Sequence, residues 1–475
     1  MAHGPSARAL TRAMQISNTQ SQAEVCVVGG GWAGLAAAVE ASAAGRSVRI
    51  IDAARQLGGR ARTQVIDLGF GPIRLDNGQH LMMGAYRETL DLIQRVSGPS
   101  PMPLRRRSMW LRDSAGLSIR ARDLPAPWHL ALAFMGRTGL RAREALAAAR
   151  LIWRLRSAGW QTPPGETVDR LLARCQQPQS LSDRLWRPLC LSALNTSSDE
   201  ACAQTLAIVL RDTLGGSAAD SDFVLPNQTL GDCLPGPAMQ WLNHRGAHIE
   251  LGSAARTIER RSEHWIVHTD QGEIEADALI LALPFLQSAR LLEALTDTSG
   301  GSMKEAKNLA VTLRRMRPSP ISTVYAAWPE DTVEALPDWI MLKHDGAGEW
   351  LFDRGLHRAH RVAAIVASGL DAQSYTSASD MGRCIALDAA KALGLAPPQF
   401  ARTVVEKRAT FACTPDRPQI SQPRAGHLPA LWLAGDYTEP WYPATLESAV
   451  RSGRRAGLLA AGLRPRPHDH AEASA

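Results

Sequence analysis

Six residues, Gly29-Gly30-Gly31-Trp32-Ala33-Gly34, carry the first recognisable chemistry of the chain. Their G-x-G-x-x-G spacing suits a turn that wraps a pyrophosphate. Gly29 makes the turn, Gly31 lets backbone approach the phosphates, and Gly34 lets a helix lie close to a strand. The anion would rest on unpaired N–H groups at the start of the helix that Ala33 opens. Asp52 follows at the place of an acid that accepts hydrogen bonds from an adenosine ribose. Gly58-Gly59-Arg60 then brings a guanidinium toward the same pyrophosphate, where bidentate contact is strong. A glycine-rich turn would explain the first motif alone, and an exposed basic turn the last. Strand, helix and acid in the right order favour a dinucleotide site.

The elements that must position these residues are legible around them. A β-branched run at 24–28 precedes the glycines, an Ala-rich helix spans about 33–44 and stops at Gly45, and a second strand at 47–51 ends on Asp52. From 124 to about 214 the pattern is helical. Strands return near 248, turn at Asp270-Gln271-Gly272 and continue as an apolar run at 278–283. "LPALWLAGD" reads as a last buried strand and 444–459 as a last helix. The expected fold is α/β: a Rossmann-like domain from 23–110, 220–285 and 400–463, interleaved with a mixed α+β substrate domain from 111–219 and 286–399. The polar ends, 1–22 and 464–475, are expected to be disordered tails.

Composition narrows the function. With 475 residues, 45% of them hydrophobic, the chain can bury two substantial cores. The net charge of +7 rests on 48 arginines against five lysines, with no basic run interleaved with aromatics, so no nucleic-acid partner is expected. Seven scattered cysteines without a C-x-x-C pair predict neither a metal site nor a disulfide framework, and fit a reducing compartment. No apolar stretch is long enough to span a bilayer, and the first residues lack a signal-peptide core, so a cytoplasmic protein is expected.

The D-x5-G-G-R pattern from Asp52 to Arg60 resembles the flavin-containing amine oxidase and phytoene desaturase superfamily, which implies an FAD-binding domain of its glycine-arginine type. The resemblance extends to "LAGDYTEPWYPATLESAVRSG" and "LDNGQHLMMGAYRET". It implies that Gly435 and Asp436 end a closing strand beside the cofactor, and that the helix starting at 444–446, with Leu446, points its N-terminus at the flavin pyrimidine. It further implies that Ala255 meets the adenine through its backbone, and that Asn77 and Gly78 approach the flavin. A plain hairpin turn at Asp76-Asn77-Gly78 and a core histidine at His80 stand as structural alternatives.

With "EKRATFACTPDRP", these motifs are similar to the bacterial hydroxysqualene dehydroxylases over about residues 24–460. That likeness implies reduction of hydroxysqualene to squalene, in squalene and hopanoid biosynthesis, by FAD that an unidentified electron donor or reductase keeps reduced. The reaction asks for an acid on the leaving hydroxyl, for which Asp76, His80 and Glu439 are candidates, and for a dry chamber that Trp441 and Tyr442 could wall. Rival readings are a phytoene-type desaturase, an amine oxidase and a non-enzymatic prenyl-lipid carrier. Amine oxidases commonly place a lysine beside the flavin. "SPISTVYAAWPED" has none, and Lys343 and Lys407 fit that place poorly.

A C30 isoprenoid substrate must come from lipid. Segment 124–160 carries six arginines against Glu144, with Trp128, Trp153, Trp160 and Phe134 among its apolar residues. It is expected either to dock on the inner membrane face or to cover the core as a helical hairpin with solvated arginines.

Overall fold

Val25, Cys26, Val27 and Val28 are buried on both faces of their strand, as a continuous apolar run in a parallel sheet should be. In the computed structural model, which describes residues 24–134, 138–297, 303–342, 350–369, 375–420 and 428–465, this strand is the centre of a five-stranded parallel sheet. Ser47–Asp52 and then His248–Leu251 lie on one side, Ala278–Leu281 and Leu431–Leu433 on the other. The chain turns both ways from the first strand, so a crevice opens at its carboxyl end, where the glycines stand.

Two helices far apart in sequence pack directly on one another. In Leu446–Ala460, a Cβ on Gly453 would lie 2.1 Å from the carbonyl of Ala33, and one on Gly457 would lie 2.3 Å from that of Ala37. Glycines one helical turn apart thus face alanines one turn apart on Trp32–Ala43, so the two backbones approach without side chains between them. This contact returns the end of the chain to its start.

A second, antiparallel sheet has the order Trp339–Met341, Trp350–His357, His360–Ser368, Pro318–Pro329, Phe400–Phe411. Along its long central strand Val324, Ala326 and Trp328 face the core beneath helix Ala378–Leu393. Tyr325 and Ala327 face the hairpin Thr63–Asp67 and Pro72–Asp76. The expected boundary at residue 400 is corrected here: Phe400–Phe411 pairs with Pro318–Pro329 over nearly its whole length, and the chain rejoins the parallel sheet only at Leu431. An alternating strand satisfies its ladder bonds wherever a partner of matching length lies, which local pattern does not reveal.

The helical stretch is present as Ala142–Ser157, Val168–Arg174, Arg187–Leu194 and Ala203–Leu214. The hairpin Ala255–Arg261, His264–Thr269, Gly272–Ala276 turns where expected. The tails 1–22 and 466–475 lie outside the described residues.

Candidate active site

At the glycine turn, Gly29 has φ +109° and donates its N–H to the Ile51 carbonyl at 2.8 Å. A Cβ on Gly34 would stand 1.8 Å from the Gly29 carbonyl, so helix and strand touch here as backbone. Gly31 differs: its Cβ direction meets nothing nearer than the Cα of Gly59 at 3.8 Å. The helix Trp32–Ala43, with Ala33 buried in its first turn, has Gly31 as N-cap, no side-chain cap and no acid in the first turn. Its first N–H groups therefore have no anion of the chain's own.

Asp52 braces this turn. Its Oδ2 accepts the Gly30 N–H at 2.6 Å and its Oδ1 the Ala54 N–H at 2.7 Å, which leaves lone pairs on both oxygens for a sugar hydroxyl. Gly58 donates to the Gly30 carbonyl at 2.9 Å, fastening the second glycine loop to the first. On the far side Ser253 donates its N–H to the Asp52 carbonyl at 2.9 Å, while its buried hydroxyl has no partner among the described residues. Ala255 follows, half-buried, at the start of its strand.

At the other end the Arg60 guanidinium is engaged within the chain. It donates to Asp436 Oδ1 at 2.8 Å and to the Ala409 carbonyl at 2.7 Å, joining residues 376 positions apart. The reason is electrostatic: the Asp436 carboxylate is buried and needs a partner, and Arg60 is the cation that reaches it. Asn77 clamps the same loop, accepting the Arg62 N–H on Oδ1 at 3.0 Å and donating its own N–H to the Arg62 carbonyl at 2.9 Å. A Cβ on Gly78 would make ordinary contacts, with Thr323 Oγ1 at 3.7 Å and His80 Cε1 at 3.8 Å.

Of the three candidate acids, two are occupied. Asp76 accepts the Leu230 N–H at 2.8 Å and the Thr63 hydroxyl at 3.3 Å, and burial raises its pKa to about 6. Glu439 is buried and paired with Arg455 at 2.6 Å; burial still holds its pKa above the ordinary value, against Arg455 and Arg451. His80 lies beside Gly78, with Nδ1 2.8 Å from that residue's carbonyl and no hydrogen bond to Nε2 among the described residues. Burial lowers its pKa, the Gly78 carbonyl opposes and nearby Arg60 adds to the fall, so the ring is neutral near pH 7.

The closing segment is locked from within. Gly435 donates to Ser452 Oγ at 2.8 Å, and a Cβ on it would strike the Tyr437 ring at 2.4 Å. The last helix closes a capping box between Thr445 and Ser448 around Leu446, which is half-buried at the first helical position. The box takes the Thr445 and Ser448 N–H groups and leaves those of Leu446 and Glu447 at the helix start. Trp441 is 38% exposed and donates its N–H to Gln419 Oε1 at 2.8 Å; Tyr442 is buried with its hydroxyl 3.0 Å from Asp212 Oδ2.

Sequence reading missed Glu447, fully buried in that helix. It accepts the N–H of Glu88, the N–H and hydroxyl of Thr89, and Arg451 Nε, so it caps helix Arg87–Ser97. An acid four residues before an arginine in a small-residue helix was the available signal. The strand Pro318–Pro329 has no lysine and presents Thr323 toward Gly78. Lys407 is exposed, and Lys343 lies outside the described residues.

Residues 32–338 match the family described as flavin containing amine oxidoreductase, which is more than half of the chain. The chain belongs to that family. It is an FAD-dependent oxidoreductase of α/β fold. A hydroxysqualene dehydroxylase of Sinorhizobium fredii is 28% identical over 92% of this chain and 98% of its own length. Another, of Rhodopseudomonas palustris, is 29% identical over 92% of this chain and 99% of its own. Among solved structures, an oxidoreductase from Methanosarcina mazei superposes with TM-score 0.70 at 14% identity, covering 90% of this chain and 98% of that one.

The residues present fit FAD. The uncapped helix and the room at Gly31 suit its pyrophosphate, and Asp52 and the unpaired Ser253 hydroxyl its adenosine.

Proposed function

We propose that the enzyme reduces hydroxysqualene to squalene, replacing the substrate's hydroxyl by hydrogen. The supporting observation is the likeness to hydroxysqualene dehydroxylases along 92% of the chain. When bound and reduced, FAD supplies the hydride. The balance is then alcohol plus proton plus hydride giving hydrocarbon plus water, and an electron donor or reductase must restore the reduced cofactor.

The chain's own part is to deliver the proton and exclude water. His80 is the acid candidate with a ring nitrogen free of hydrogen bonds: with Nδ1–H turned to the Gly78 carbonyl, Nε2 must first take up a proton, and the lowered pKa makes that form scarce near pH 7 but a stronger acid than ordinary histidine. Asp76 and Glu439 instead hold the hairpin and the last helix in place. The buried faces of Tyr325, Phe411 and Tyr437 keep the surroundings dry, so that water does not recapture a carbocation. A lysine-free strand opposite Gly78 speaks against amine oxidation. Under anaerobic conditions, reduced enzyme should convert hydroxysqualene to squalene, while oxidised enzyme should leave phytoene untouched. Desaturation of phytoene with no squalene formed would instead identify a desaturase.

The substrate is taken from the cytoplasmic face of the membrane. A C30 chain costs about 20 kcal/mol to bring into water, and no helix among the described residues is long and apolar enough to cross a bilayer. Helix Ala142–Ser157 supports a peripheral contact: it buries Ala147, Ala148, Leu151 and Leu155 but turns Leu146 and Trp153 outward, 71% and 67% exposed. Exposed Arg143, Arg150 and Arg156 flank them, and Trp128 is also exposed at 61%. Each such arginine adds about 1 kcal/mol beside anionic lipid, and tryptophan favours the interface. Vesicles rich in anionic lipid should sediment the wild type and release the Leu146→Ser, Trp153→Ser double variant. Equal sedimentation of the two would remove this surface from the account.

A further inference from the structure

The loop that follows strand Ser118–Arg120 carries apolar side chains on its outside. Leu124, Trp128 and Leu132 are 38%, 61% and 38% exposed. The loop closes at its foot, where Ala121 donates its N–H to the Met109 carbonyl and Arg122 its own to the His129 carbonyl, both at 2.9 Å. Beyond the foot stands a single helical turn, Trp128–Ala131. Leu132 donates to the Trp128 carbonyl at 3.0 Å, so these two side chains share one face. From Leu124 to Phe134 the only ionisable residue is His129. It is buried, and neither ring nitrogen has a hydrogen bond among the described residues. Burial lowers its pKa against the pull of Asp222, so the ring is neutral near pH 7.

The tip is therefore uncharged, and its backbone brings few donors with it. Pro125 and Pro127 have no N–H. Their carbonyls accept from His129 at 3.3 Å and from Ala131 at 3.1 Å. Such a tip can leave water with few backbone groups unpaired. At the foot the character reverses, with Arg107, Arg120 and Arg122 exposed against exposed Asp123. An apolar tip above a basic collar matches the acyl chains and phosphates of an anionic leaflet, and tryptophan suits the boundary between them. We propose that loop 122–132 enters the acyl region of the bilayer while Arg107, Arg120 and Arg122 stay among the phosphates. The inference rests on the membrane contact proposed above and gives it a point of insertion in a different stretch of chain from helix Ala142–Ser157. It does not depend on the choice of hydroxysqualene, and it is tested without any substrate.

Holoenzyme and vesicles of equimolar phosphatidylcholine and phosphatidylglycerol provide the test. The Leu124→Ser, Trp128→Ser, Leu132→Ser triple variant should bind them about tenfold more weakly than the wild type, with FAD content and melting temperature unchanged. Lipid brominated on its acyl chains should quench more fluorescence in the wild type than in Trp128→Phe, which keeps an apolar tip but not the indole. Equal vesicle binding by wild type and triple variant, or equal quenching of wild type and Trp128→Phe, overturns the proposal and leaves the membrane contact to the helix. A wild type that binds no vesicles overturns the proposal and the membrane reading together. A loop that instead joins two copies of the chain would show itself without lipid, as a wild-type dimer and a monomeric triple variant, and would overturn the proposal too. Should the triple variant not fold, Trp128→Ser alone takes its place.

Discussion

The helices Trp32–Ala43 and Leu446–Ala460 pack on one another, yet they begin in opposite ways. The first has a glycine cap, no side-chain cap and no acid in its first turn. The second closes a Thr445–Ser448 box and carries Glu447 in its first turn, and that carboxylate caps a third helix. One N-terminus is left without any side-chain cap, and the other is capped in part by the chain itself. The difference separates two duties. A pyrophosphate brings permanent charge and could complete the uncapped helix, whereas the other helix begins on bonds within the chain.

The largest effect should come from breaking the capped end. Glu447→Ala leaves Arg451 buried without its carboxylate and uncaps Arg87–Ser97, which should cost about 3–5 kcal/mol in urea unfolding. A loss under 1 kcal/mol would mean that the last helix does not depend on this acid. Next comes Asp76, which titrates at about 6 in the folded chain against 3.8 as its ordinary value. Between those pH values the native state holds the proton longer than the unfolded one, so stability falls as pH rises from about 4 to 6. Asp76→Asn should not share that fall, and across the window the wild type should lose about 2–3 kcal/mol relative to it. Parallel pH profiles would show that Asp76 is not held protonated by burial.

The open end should respond differently. Gly31→Ala puts a methyl into the free space of the cradle, so the apoprotein should melt like the wild type while FAD binds at least tenfold weaker, about 1.4 kcal/mol. If instead stability fell and affinity did not, that space would not be the pyrophosphate site. The smallest effect belongs to Thr445→Ala, about 1 kcal/mol of stability for one lost cap, with FAD affinity unchanged. A marked loss of affinity there would bring the second N-terminus back into cofactor binding.

The same contrast explains what the sequence revealed. Gly29, Gly31, Gly34 and Asp52 form one local unit, where spacing in the chain sets spacing in space, so the cradle could be read from a dozen residues. Arg60 could not. Its type pointed to an anion, but which one depended on Asp436, 376 positions away. Glu439 and Asp76 looked like available acids for the same reason: Arg455 and the Leu230 N–H that occupy them are brought close only by tertiary packing. Phe400–Phe411 gave no indication of its sheet, because a strand's partner is set by tertiary packing and not by its own residues. Gly453 and Gly457 were visible as a pair of small residues, yet their meaning lay in Ala33 and Ala37.

The central claim is that reduced FAD in this chain gives its hydride to an alcohol carbon. A single turnover tests it most directly: enzyme with FAD fully reduced, no oxygen, a small excess of hydroxysqualene, and both flavin absorbance and lipid products followed. One squalene should form for each flavin that returns to the oxidised spectrum. Flavin that stays reduced with hydroxysqualene recovered intact, or flavin that reoxidises without squalene, would contradict it.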